Sequence, residues 1–222
     1  MNRILGSLPA ALVALLLAGP AGAEEAPPPC HGPGSAASAT STDTAPSPDS
    51  ASARVEVPDV ELVDQNGKAV RIRSLLQSGK PVVVSFIFTT CTTVCPMLSS
   101  IVSRVQEKLG DRLGAEVLLV SVTVDPGRDT PARLKAYATR HHARPGWTWL
   151  TGGRGQVEQV LRGMGAYTPN FADHPPMVLV GDGSGGWTRL NGFPSQVAIV
   201  AQVDAMSPGS HKLPVAAAGK EN

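Results

Sequence analysis

The sequence predicts an α/β fold, a central mixed sheet flanked by helices with a β-hairpin on its N-terminal side, and three observations predict it. Residues 81–88 form an apolar run of Val, Ile and Phe without polar alternation, the pattern of a strand covered on both faces. Residues 117–124 form a second long apolar run, and between the two Leu98, Ile101, Val105 and Leu109 recur at the spacing of a helix with one buried face. Further on, residues 177–180 and 187–190 bracket the glycine-rich stretch 181–186 and read as a hairpin.

Taken in order, the chain starts outside this fold. Residues 1–23 begin with the basic Met1-Asn2-Arg3, run through apolar residues and end on Ala21-Gly22-Ala23. That is a secretory signal peptide and predicts a periplasmic location. The alternative is an uncleaved inner-membrane anchor, since the stretch approaches the roughly 20 apolar residues that span a bilayer; Pro9, Pro20 and the small-x-small pattern favour release. Residues 24–54 are rich in Ala, Pro, Ser, Thr and Gly without periodicity, the composition of a disordered linker. Cys30 sits inside it behind Pro27, Pro28 and Pro29, where a lipoprotein cysteine would not lie, and reads as a solvated linker thiol. From Val55 the composition turns globular, and residues 55–206 form the folded domain, with 207–222 a flexible tail. In the domain, residues 60–63 and 68–72 flank Asn66-Gly67 as a hairpin. Thr130 is the cap and Pro131 the first position of a helix ending near His142. A short strand at 147–150, a helix at 155–164 and a last helix at 194–205 complete the set.

The formal charge of +1 and the lack of a basic stripe exclude a nucleic-acid role. Three cysteines are too few for a disulfide scaffold, so their spacing carries more than their number. Cys91 and Cys95 lie between the first apolar strand and the following helix. Cys95 is expected at the helix's amino end, where unpaired N–H groups and the dipole favour thiolate over thiol. Such a pair is a redox couple or two soft metal ligands; the plain alternative is two buried structural thiols.

Strand, helix, strand, helix, hairpin and final helix is the order of a thioredoxin-like fold, and in open sheets chemistry gathers beyond the carboxyl ends of the strands. Three motifs add a resemblance. Cys91-Thr92-Thr93-Val94-Cys95-Pro96 follows an Ile/Phe-rich strand, Asp125-Pro126-Gly127-Arg128-Asp129-Thr130-Pro131 follows the second strand, and Asp173-His174 precedes the hairpin. With these, residues 57–205 resemble the Sco/SenC family of copper-binding thioredoxin-like proteins, departing from it at Pro175-Pro176.

The resemblance implies that Cys91, Cys95 and His174 bind a copper ion, and that Cys91 and Cys95 are redox-active and form a disulfide when oxidised. The donor chemistry agrees: thiolates select Cu(I), imidazole accepts either copper state, and three ligands leave a structural zinc site incomplete. The resemblance also implies a metallochaperone rather than an enzyme, delivering copper to, or maintaining the thiols of, a respiratory copper enzyme such as the dinuclear copper site of cytochrome c oxidase; the chain is expected to be a monomer. Its thiols would be kept reduced by a thioredoxin-like reductant. The rival readings are a periplasmic thiol–disulfide oxidoreductase, in which the more exposed Cys91 attacks and Cys95 resolves, and a redox or copper sensor. Cys30 remains an alternative auxiliary copper ligand or intermolecular disulfide partner. Among the other residues, Asp173 reads as a solvated turn acid, with orientation of His174 as the alternative. His141 and His142 close a helix with a partly positive side chain. Met97 is expected in the core beside Ile101, and Asp125, Arg128 and Asp129 brace the loop and helix start.

Overall fold

The computed structural model describes residues 50–207; the expected signal peptide, Cys30 and most of the expected linker and tail lie outside them. Eight strands form one mixed sheet. Strands β1 (Ser50–Ser52), β2 (Glu61–Asp64) and β3 (Ala69–Arg71) come first, followed by the short helix α1 (Ile72–Leu76). Then come β4 (Val82–Ile87), α2 (Val94–Leu109), β5 (Leu118–Thr123), α3 (Pro131–Arg140), β6 (Trp147–Thr151) and α4 (Arg154–Gly163). Strands β7 (Met177–Gly181) and β8 (Trp187–Asn191) and helix α5 (Gln196–Met206) complete the fold. It is a thioredoxin-like fold with an added N-terminal hairpin.

The spatial order is β1-β8-β7-β4-β5-β6-β2-β3. Strands β4, β5 and β6 run parallel, joined by helical crossovers, and β7 lies antiparallel on the other side of β4. The continuous apolar run of β4 is thereby explained: it sits mid-sheet and all six of its residues are buried. Its side chains still alternate, because the strand period is two. Val83 and Ile87 pack with α2, α3 and α5, whereas Val82, Val84 and Phe86 pack on the opposite face with α1 and α4. Between the parallel strands the buried Ser85 and Ser121 hydroxyls bond to one another at 2.9 Å, and Trp147 Nε1 donates to Ser121 at 3.0 Å. These hydroxyls and this indole are thus partnered inside the sheet, whereas the buried Trp149 and Trp187 Nε1 atoms have no hydrogen-bond partner among the described residues.

Local chemistry sets the ends of the elements. Thr130 caps α3 by accepting from Arg133 N at 3.3 Å, and Ser195 caps α5 from Ala198 N at 3.1 Å. The β2–β3 turn uses Gly67 at φ +81, a conformation L side chains avoid. In the β7–β8 turn the Asp182 carboxylate accepts the backbone N–H groups of Ser184, Gly185 and Gly186 at 2.6–3.0 Å.

Two expectations change. Strand β1 falls within the residues expected as linker: it pairs with β8, Ser50 opposite Leu190, and Ala53 N continues by donating to Trp187 O. Its Ala and Ser residues carry no apolar signal, and an open sheet edge supplies the pairing instead. Ile72, expected to end the second hairpin strand, begins α1 and is fully buried with Leu76. Five residues are too few for helical periodicity to show.

Candidate functional site

Helix α2 starts at Val94, and its N-cap Thr93 makes no side-chain capping bond. The sulfur of Cys91 takes that part, accepting from Cys95 N at 3.3 Å. Cys91 itself is placed by a tight turn at the end of β4, its N–H donating to Phe88 O at 3.2 Å. The two sulfurs consequently differ. Partial burial pushes the Cys91 thiol up, but the N–H groups of Cys95, Thr93 and Val94 outweigh it and hold this thiol below its ordinary value. Burial pushes the Cys95 thiol up to about 12, reinforced by the Cys91 sulfur and by Asp129 and opposed by a backbone hydrogen bond at Phe88. The helix end thus activates Cys91, not Cys95 as expected. Cys95 is inside the first turn with its side chain buried among Leu98 and Ile87, so its desolvation exceeds what the dipole offers. Both are free thiols, Cys95 buried and Cys91 half-exposed.

His174 arrives from the far side, immediately after the 3₁₀ turn Phe171–Asp173 and before β7. Its ring lies 5.4 Å from that of Phe86. The turn is held to the end of β4 by an edge-on contact of Phe171 with Phe88 at 5.2 Å. Burial pushes the imidazole down to about 4, against a hydrogen bond to the Ala166 backbone, so the ring is neutral near pH 7. Its Nε2 is buried without a hydrogen-bond partner among the described residues. Cys91, Cys95 and His174 line one cavity of about 240 Å³, together with Phe86, Leu98, Val124 and Pro176. As they stand, no three His, Cys, Asp or Glu side chains among the described residues are grouped closely enough to hold a metal ion.

A family model described as SCO1/SenC matches residues 48–192. This chain belongs to the SCO1/SenC family. Among similar proteins, a putative copper-binding protein from Stutzerimonas stutzeri is 34% identical over 109 residues, 49% of this chain and 52% of its own. A SCO1 protein homolog from Bacillus subtilis is 35% identical over 98 residues, 44% of this chain and 49% of its own. The chain thus spans about half the length of these curated relatives. Among solved structures, copper-bound ScoI of Bradyrhizobium japonicum superposes with a TM-score of 0.56 at 28% identity, covering 66% of this chain and 96% of that one. BsSco, a member of the Sco family of cytochrome c oxidase assembly proteins in which a disulfide switch was identified, superposes at 0.60 with 25% identity, covering 73% and 98%.

The remaining sequence candidates separate from the cavity. Asp173 is exposed and accepts from Asn170 Nδ2 at 3.0 Å, closing its own turn. Asp125 pairs with Arg128 at 3.0 Å, bracing the loop before α3 as expected. Met97 is a correction: it is 56% exposed, because the stripe Leu98, Val102, Val105 and Leu109 takes the core face of α2 and leaves residue 97 a turn-fraction outside it. His141 does follow α3, but burial and then Arg140 hold its imidazole below the ordinary value. Its ring packs on that of Tyr137 at 4.7 Å, a burial that disfavours the expected partial positive charge. What the sequence did not reveal is the link from Asp129 to the strand exit. Its carboxylate accepts Thr89 N at 3.1 Å and Thr89 Oγ1 at 2.6 Å. The loop motif pointed to Asp129; its partner 40 residues earlier had no signal of its own.

Proposed function

We propose that this chain is an exported copper-binding protein that passes copper to a respiratory oxidase, with Cys91, Cys95 and His174 as ligands. The observation that carries the reading is that His174, whose buried Nε2 has no hydrogen-bond partner among the described residues, lines the same cavity as both thiols. A buried polar atom without a partner costs about 1–3 kcal/mol, and a soft metal ion on Nε2 and two sulfurs would remove that cost. The neutral ring needs no deprotonation before it binds. Copper bound there would be cargo, released by exchange to incoming thiolates or imidazoles. Ligation by all three groups would require His174 to approach the sulfurs, and its position after a short turn rather than inside β7 suits such an approach. The copper-bound and oxidase-assembly relatives support the same cargo and destination. The apolar, signal-like residues 1–23 support export; among the described residues no helix is long and apolar enough to cross a membrane.

A second reading has its own observation, the inequality of the two thiols. The Cys91 thiolate would attack a partner disulfide, forming a mixed disulfide and expelling the partner's second sulfur as thiol. Cys95, losing its proton, would then displace the partner, leaving an intramolecular disulfide and a reduced partner. A thioredoxin-like dithiol would return the two electrons and two protons.

The deciding experiment is anaerobic Cu(I) titration of the reduced protein and its His174→Ala variant against a chelator. One-to-one binding that weakens at least tenfold in the variant supports the copper reading. Weak binding indifferent to His174 refutes it and leaves the dithiol as the working group.

A further inference from the structure

Asp129 is 1% exposed and has no Lys, Arg or His ion-pair partner among the described residues. The adjacent Arg128 turns to Asp125 instead, at 3.0 Å. A carboxylate this deep is ordinarily paired with a cation. Here hydroxyl and amide donors solvate it: Thr123 Oγ1 at 2.5 Å, Thr89 Oγ1 at 2.6 Å and Thr89 N at 3.1 Å. Such donors satisfy the oxygens and leave the charge uncancelled. The location is specific. Thr123 ends β5, Thr89 follows β4 two residues before Cys91, and Asp129 precedes the cap of α3. The carboxylate is therefore tied directly to the strand exit that leads into the thiol loop, two residues before Cys91.

We propose that Asp129 is a positioning residue that acts electrostatically. It anchors the approach to Cys91 through Thr89 and, as a fixed negative charge, biases the site against monovalent and toward divalent copper. The inference rests on the copper reading above. Two thiolates and a neutral imidazole around Cu(I) carry a net charge of −1, and around Cu(II) a net charge of zero. Loss of one electron from the Cu(I) form connects the two with no proton moved, so a nearby anion penalises only the first. A fixed unit charge held near the site, in protein of intermediate dielectric, changes such an equilibrium by a factor on the order of ten.

The test measures Cu(I) and Cu(II) affinities separately, by anaerobic competition, on the full chain and on Asp129→Asn, Asp129→Glu and Thr89→Val. Asparagine keeps the shape and the acceptor for Thr89 N but removes the charge. The ratio of Cu(I) to Cu(II) affinity is expected to rise about tenfold in Asp129→Asn. It should stay near wild type in Asp129→Glu and in Thr89→Val, which keep the charge; the latter lowers both affinities together. Should the asparagine variant not fold, the smaller neutral Asp129→Ser is read the same way. An unchanged ratio in a folded neutral variant, with wild-type binding intact, overturns this inference alone and leaves a structural brace. Absence of one-to-one copper binding by the wild-type chain overturns both this inference and the copper reading.

Discussion

Acidification is expected to destabilise the metal-free protein through His174, and the sign follows from burial. The imidazole titrates at about 4 in the folded chain and near 6.5 when unfolded. Between those values the unfolded state binds the extra proton, so stability rises with pH there. The contribution is complete above about pH 6.5, is lost as pH falls toward 4 and changes no further below. Two and a half pH units at about 1.4 kcal/mol each set a ceiling of about 3.5 kcal/mol, and solvent at the open side of the cavity reduces the expected loss to about 2 kcal/mol. Replacing His174 with Phe keeps a ring against Phe86 and removes the titration. Urea unfolding of reduced, metal-free wild type and His174→Phe at pH 7.5 and 4.0, at constant ionic strength, isolates the effect as a difference of differences. Other titrating groups, His141 included, are shared and cancel. If His174→Phe loses as much stability as wild type over this range, the buried neutral histidine is refuted, and with it the argument from its unpartnered Nε2.

Two further outcomes follow from the same geometry. In the reduced, metal-free chain iodoacetamide at pH 7 is expected to modify Cys91 at least tenfold faster than Cys95, read by peptide mass spectrometry, since Cys91 is more exposed and its thiol is the lowered one; equal rates would remove the basis of the oxidoreductase reading. Gly163→Ala would drive a Cβ into the Glu56 carbonyl oxygen, a backbone atom that also neighbours the Glu56 N to Gly163 O bond at 2.8 Å. Thermal unfolding should show a loss of about 2–3 kcal/mol, and an unchanged midpoint would mean that residues 53–57 do not dock on α4.

Much of the fold was legible because its signals are local. The unbroken apolar run of β4 announced an interior strand, Thr130-Pro131 announced the start of α3, and Asn66-Gly67 announced a hairpin turn. Cys91, Cys95 and His174 were legible as candidates through motif spacing. Elements whose existence depends on a neighbour gave no such signal: β1 is a strand because β8 offers an edge, and α1 is a helix because Ile72 and Leu76 fill a face of the sheet. Met97 shows the same limit, since residues 97 and 98 are both apolar and only the angle of α2 against the sheet assigns one to solvent and the other to the core.

The sequence by itself determined the order of the longer elements, the two thiols at a strand–helix junction and the histidine ahead of the hairpin, because hydrophobic period, turn chemistry and motif spacing are written along the chain. Only the tertiary structure decided that Cys91 rather than Cys95 is the activated sulfur, that His174 lines their cavity with a buried Nε2 unpartnered among the described residues, and that Asp129 is tied to Thr89. Each of those depends on desolvation and on groups far apart in the chain, and neither can be counted along a sequence.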